Sequence, residues 1–167
     1  MAKIVNIYKE TLPDLKLVGK VYTDKDCNEN GTFSDCWKEW FQNHWFDRIK
    51  KIGTLPGNED TYLGCMRMNR NQLEYWIGMF CPMRTDIPED FSCVYIRDGN
   101  VGITWLKGHE DYGELYDFHE SCIDLMKEKG WKIAKNTWFF ERYDSSRFTI
   151  PDENGEIILD YGVYLAN

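Results

Sequence analysis

Residues 61–80, TYLGCMRMNRNQLEYWIGMF, carry the pattern from which the fold follows. Thr61 to Met68 and Leu73 to Phe80 are two β-rich runs. The polar Asn69-Arg70-Asn71-Gln72 between them reads as a turn, so the pair forms an antiparallel hairpin. Ahead of it Phe33, Trp37, Trp40, Phe41, Trp45 and Ile49 recur at helical spacing, with Lys38, Glu39, Gln42 and Asn43 turned outward. A hydroxyl at Thr32 or Ser34 can cap the start of that helix by accepting a free first-turn N–H, and Gly53 and Pro56 mark its end. Leu15 to Tyr22 is a strand candidate before it. The order is β-α-β-β.

The same order returns further on. Phe91 to Arg97 reads as a strand, with a short extended run from Val101 to Leu106 after it. A second apolar stripe follows at Tyr112, Leu115, Tyr116, His119, Cys122, Ile123 and Met126. Lys127 and Lys129 suit the negative end of this helix, and Gly130 its left-handed stop. Trp138 to Tyr143 and Ile157 to Leu165 then make a second hairpin around a longer loop with Pro151 and Gly155. The helix patterns start 112 − 33 = 79 residues apart, and Leu73-Glu74-Tyr75 is echoed by Leu159-Asp160-Tyr161.

The expected fold is therefore α+β, one domain over residues 1–167 built from two βαββ repeats, about 1–82 and 88–167, with Met83 to Asp90 as the linker. Each repeat has one long helix on an antiparallel sheet. Two such units cannot bury their sheets alone, so a pseudo-twofold pairing with a groove between the repeats is expected. Both helix stripes, Trp37, Trp40 and Phe41 in the first and Leu115, Tyr116 and Ile123 in the second, are read as core. His119 lies on the second stripe and is read the same way.

Composition narrows the function classes. Acidic residues outnumber basic ones, 28 to 20, for a net charge of −8, and the longest basic run, Arg48 to Lys51, is broken by Ile49. Such a surface repels phosphate backbones, so nucleic acid is not an expected partner, whereas a cationic ligand is mildly favoured. Aromatic residues make up 16% of the chain, with seven Trp. Most should be core, leaving a few rings to stack on a flat ligand. The six cysteines form no CxxC, there is no HExxH, and His44, His109 and His119 are scattered, so no metal site and no cofactor are expected. The N-terminus lacks an apolar export segment and no run approaches ~20 apolar residues, which predicts no membrane contact, a cytoplasmic location and reduced thiols serving as small core residues.

Glu141 is the most informative residue. Alternation groups Phe139, Glu141 and Tyr143 on one strand face and Trp138, Phe140 and Arg142 on the other, and likewise sets Glu74, Trp76 and Gly78 against Tyr75, Ile77 and Met79. A carboxylate among rings, if buried without a partner, has a raised pKa and can act as an acid or base, or hold a cation. The alternatives are a salt bridge to Arg142 or Arg147, or simple exposure.

The segments LKLVGKVYT, CWKEWFQNHWFDRI, TYLGCMRM…LEYWIGMF, IPEDFSCVYIRDG and FFERYD…LDYGVYLAN together resemble the GyrI-like, or AraC-type effector-binding, domain family over nearly the whole chain. The resemblance implies two βαββ repeats around a groove for hydrophobic, planar and often cationic compounds. An acidic residue among aromatics anchors the positive charge there, and Glu141 of FERYD takes that position. Tyr75 of EYWIG and Tyr161 of LDYGVY match aromatic wall positions, and Trp105 and Trp138 are added from local pattern. Regulators of this family also carry a DNA-binding helix-turn-helix region, so this chain would be a stand-alone member. Three functions follow from the resemblance: a small-molecule binding module, a hydrolase of cyclopropane-bearing DNA-alkylating toxins using Glu141 and Tyr143, or an interaction protein that shields DNA gyrase. Binding is the favoured expectation.

Overall fold

The computed structural model describes residues 1–110 and 113–167, which leaves the expected helix position Tyr112 outside the described residues. The chain forms two compact units, named here for their place in the sequence. The central unit is Asp14–Arg97; the terminal unit joins Met1–Pro13 to Asp98–Asn167.

In the central unit, β2 (Leu15–Tyr22), β3 (Thr61–Asn69), β4 (Gln72–Cys81) and β5 (Ser92–Ile96) form an antiparallel sheet in the order β3-β4-β2-β5. The β3–β4 turn has Arg70 and Asn71 at φ 52° and 63°. Two left-handed residues in succession give the hairpin turn whose twist matches the strands. The expected single helix is two helices, α1 (Ser34–Gln42) and α2 (Trp45–Ile52). The break has a local cause: the Asn43 side-chain amide donates to the Glu39 carbonyl, competing with the helical ladder, and His44 turns left-handed at φ 56°. Neither Thr32 nor Ser34 caps the start, because Phe33 holds the cap position without a side-chain bond and the two hydroxyls bond each other. The turn at His44 aims Phe46 and Ile49 inward. They pack with Trp40, Val18, Tyr75, Ile77 and Met79. Phe41 is left 54% exposed, so the first stripe is only partly core.

The terminal unit also has a four-stranded antiparallel sheet. β1 (Lys3–Leu12), β6 (Gly99–Gly108), β7 (Phe139–Asp144) and β8 (Ile157–Tyr164) run antiparallel in the order β7-β8-β6-β1. A 3-10 turn at Glu114–Asp117 leads to α3 (His119–Glu128), which ends with Gly130 left-handed at φ 82°, and a short α4 (Ser145–Phe148) follows β7. Leu115 in the turn and Cys122 and Met126 on α3 are buried, and at Gly102 a Cβ would stand 2.7 Å from the Met126 sulfur, so glycine lets the helix approach β6 closely. Because α3 starts seven residues later than the stripe predicts, Tyr116 and His119 sit at its entrance and are exposed rather than core.

The units do not follow the expected repeat boundaries. Lys3–Leu12, not read as a strand from sequence, pairs with β6, and Phe91–Arg97 contributes β5 to the central unit by pairing with β2. The strand that leads into α3 is β6. Met83–Asp90 consequently lies inside the central unit instead of linking two repeats. All six cysteines are free: Cys36, Cys65, Cys81 and Cys122 are buried as expected, Cys27 is half-buried and Cys93 is exposed. Among the described residues no helix is long and apolar enough to cross a membrane, and no cluster of His, Cys, Asp and Glu could hold a metal ion.

Candidate functional site

In the terminal unit the antiparallel register pairs Glu141 with Tyr161, and Tyr161 in turn with Thr104. Paired residues share a face, so Glu141 lies on the α3-covered side of the sheet with Phe139 and Tyr143 from its own strand. Phe139, Tyr143, Tyr161, Phe118 and Phe148 pack in one cluster there.

The Tyr143 hydroxyl donates to Glu141 Oε2 at 2.8 Å. Tyr116 lies nearby, and its hydroxyl pKa is driven upward by burial and by the Glu141 charge. Its ring is 44% exposed although the hydroxyl end points inward, the usual posture of a side chain with an apolar body and a polar tip. Glu141 keeps some accessible surface, yet protein atoms crowd its carboxyl group. Burial pushes its pKa up to about 7, and the Tyr143 hydrogen bond holds it back from rising further. Among the described residues no basic side chain forms an ion pair with Glu141. Arg142 and Arg147, the anticipated partners, both bind Asp160.

His119 is the second polar element. From the first position of α3 its Nδ1 bonds the Tyr161 hydroxyl, and its ring centroid lies 4.8 Å from Phe139. Partial burial lowers its pKa below the ordinary histidine value, which favours the neutral ring. The Tyr161 hydroxyl pKa is pushed far up by burial, with the charges of Cys122 and Glu141 adding to it.

Linkage predicts a signature for Glu141. A carboxyl whose folded pKa is about 7 against an ordinary 4.5 binds its proton more tightly in the folded state. Its stabilising contribution is complete below pH 4.5 and lost as pH rises through about 7. At ~1.4 kcal/mol per pH unit this is at most roughly 3 kcal/mol, less in so far as solvent reaches the group. Glu141→Gln should therefore gain stability relative to the parent between pH 5 and pH 8. Urea titrations at both values measure the difference, and equal differences would place the carboxyl in bulk solvent.

No protein-family model and no curated protein sequence matches the chain. Solved structures do. SAV2435, in a structure bound to tetraphenylphosphonium, superposes with a TM-score of 0.72 at 14% identity, over 98% of this chain and 95% of that one. A candidate bacterial transcription regulation protein from Staphylococcus aureus MU50 gives 0.68 at 14%, over 97% and 99%. The C-terminal domain of EcmrR gives 0.59 at 11%, over 97% and 98%. The likeness is one of fold.

Of the residues singled out in the sequence, Glu141, Tyr143 and Tyr161 come together. Tyr75 belongs to the central unit, where Phe33 stacks on its ring at 4.1 Å and the Trp37 indole N–H donates to its hydroxyl at 2.8 Å. Trp105 lies on the opposite face of the terminal sheet, paired in register with Asp160; it donates to the Tyr8 hydroxyl and is covered by Arg147. Trp138, just ahead of β7, is buried and falls by alternation with Phe140 and Arg142. These two indoles do not share the Glu141 face, since a strand sends neighbouring side chains to opposite sides. Tyr116 and His119 were missed as site residues because the apolar stripe ran through them. Their place three and zero residues before the helix starts gives the signal: side chains at a helix entrance can reach a sheet face that the helix body covers.

Proposed function

We propose that the terminal unit binds a flat hydrophobic cation, with Glu141 as counter-charge and Phe139, Tyr143 and Tyr161 as its aromatic surroundings. One observation carries the reading: a crowded carboxyl group that accepts from the Tyr143 hydroxyl among aromatic rings and, among the described residues, has no basic side chain to neutralise it. A bound cation supplies the missing charge, and each ring face adds roughly 0.5–2 kcal/mol. The fold shared with SAV2435, whose structure contains tetraphenylphosphonium, supports a hydrophobic cation as the class of ligand. Tyr75, Trp105 and Trp138 have a smaller part in it, each being engaged by neighbours of its own.

Calorimetry with 9-aminoacridinium and the neutral tricycle anthraquinone, which has no hydrogen to donate, tests this. Glu141→Gln keeps the shape and removes the charge, so it should weaken the cation by roughly 10–100-fold, the ~1.5–3 kcal/mol of a charged hydrogen bond, and leave anthraquinone unchanged. Affinity of the parent for the cation should also fall as pH drops below about 7, because the carboxyl protonates. Equal affinities of the parent and Glu141→Gln at pH 8 would remove Glu141 from the site.

The pKa near neutrality favours one second reading, acid–base chemistry by Glu141 with Tyr143 beside it, as in hydrolytic opening of a strained ring. Turnover of a cyclopropane-bearing alkylating toxin that is lost in Glu141→Gln while binding persists would select it over binding alone.

A further inference from the structure

The hydrogen-bond directions around Glu141 define the ligand more narrowly than its charge does. A phenol has one hydrogen to give. Tyr143 spends its hydrogen on Glu141 Oε2. Tyr161 faces His119 Nδ1. In the Nε2–H form that free neutral imidazole prefers, Nδ1 carries a lone pair, and the Tyr161 hydrogen goes to it. The Tyr143 and Tyr161 hydrogens are then committed within the protein. What is left is acceptor capacity: Glu141 Oε1, which has no hydrogen-bond partner among the described residues, and the remaining lone pair of Tyr161, the register partner of Glu141.

We infer that this site selects cations bearing N–H donors, such as protonated amines, amidiniums and protonated heteroaromatics, over fully alkylated cations of the same shape. The inference rests on the cation-binding reading above and adds a donor requirement to it. A quaternary cation satisfies the carboxylate charge but leaves the Oε1 and Tyr161 acceptors without hydrogens, and a polar group desolvated without a partner is costly. His119 is the positioning residue. It fixes the Tyr161 hydrogen away from the ligand, and its own protonation would reverse that by making Nδ1 a donor. Of the charged side chains around this cluster, Glu120 acts on His119 and Glu110 on Tyr116, both acidic, and neither adds a hydrogen donor.

The test compares 9-aminoacridinium with 10-methylacridinium, two planar tricyclic cations of which only the first has N–H groups, by calorimetry at pH 8. The intact protein should bind 9-aminoacridinium at least about tenfold more tightly. In Tyr161→Phe that ratio should fall to within about threefold, and in His119→Ala, which frees the Tyr161 hydrogen, it should fall in the same direction. Circular dichroism melting of both variants shows that they fold. Equal binding of the two probes by the intact protein, with both weakened in Glu141→Gln, would overturn the donor requirement and leave the cation site standing. A ratio unchanged in both Tyr161→Phe and His119→Ala would also overturn it. If Glu141→Gln weakens neither probe, or the intact protein binds neither, the underlying cation reading fails as well.

Discussion

Arg142→Ala should lower stability by roughly 3–5 kcal/mol, the cost of opening a buried ion pair by removing one partner. Arg142 is buried on the sheet face opposite Glu141. Its Nε donates to Asp160 Oδ2 at 2.8 Å, and its two terminal nitrogens reach Glu10 at 2.9 and 3.2 Å. Asp160 is fully buried and also receives the fork of Arg147 at 2.6 and 3.0 Å. Among the described residues, removal of Arg142 leaves Asp160 with one guanidinium and Glu10 with none. For a chain of this size the loss corresponds to a fall in Tm of about 6–20 °C, readable by calorimetry. Arg142→Lys should recover only part of it, because a point ammonium cannot bond both carboxylates in the geometry of the planar fork. A loss below 1 kcal/mol for Arg142→Ala would show that the network contributes little to stability.

Trp40→Ala is the second large effect, again roughly 3–5 kcal/mol. Trp40 has no exposed surface and meets Trp45, Phe46 and Phe91 at centroid distances of 5.4, 4.6 and 5.9 Å. Its indole N–H also donates to the Tyr22 hydroxyl at 2.9 Å, so truncation opens a cavity and strands an acceptor. Phe41, the next residue on the same predicted stripe, is the internal control. With half its surface in water, Phe41→Ala should cost less than about 1 kcal/mol, since little transfer energy is lost and no sealed cavity forms. Comparable losses at the two positions, measured by urea titration, would mean that Phe41 is covered in solution.

The contrast between Trp40 and Phe41 shows how far the sequence carries. Period-two alternation fixed the company of Glu141 correctly, because a strand has no means of turning one side chain without its neighbours: Phe139 and Tyr143 had to share its face, and Arg142 had to leave it. The hairpin turn at residues 69–72 and the stop at Gly130 were likewise legible, since backbone conformations with positive φ have local chemical signatures. The apolar stripes gave the existence of helices but not their limits, and there the local signal misled at Phe41, Tyr116 and His119.

What only tertiary structure decided was partnership. Lys3–Leu12 closes the terminal sheet by pairing with β6, and Ser92–Ile96 joins the central one by pairing with β2; nothing within either segment names its partner, because the ladder bonds are backbone groups common to every strand. The same holds for the surroundings of Glu141. The sequence places a carboxylate among rings, but its charge state depends on which groups approach from β8, α3 and the turn before it. Asp160 draws both nearby arginines to the far face. Tyr143, Tyr116, Tyr161 and His119 are brought to the near one, and among the described residues they leave an acid without a cation. Long-range packing makes that arrangement, and it converts an ordinary surface residue type into the candidate site.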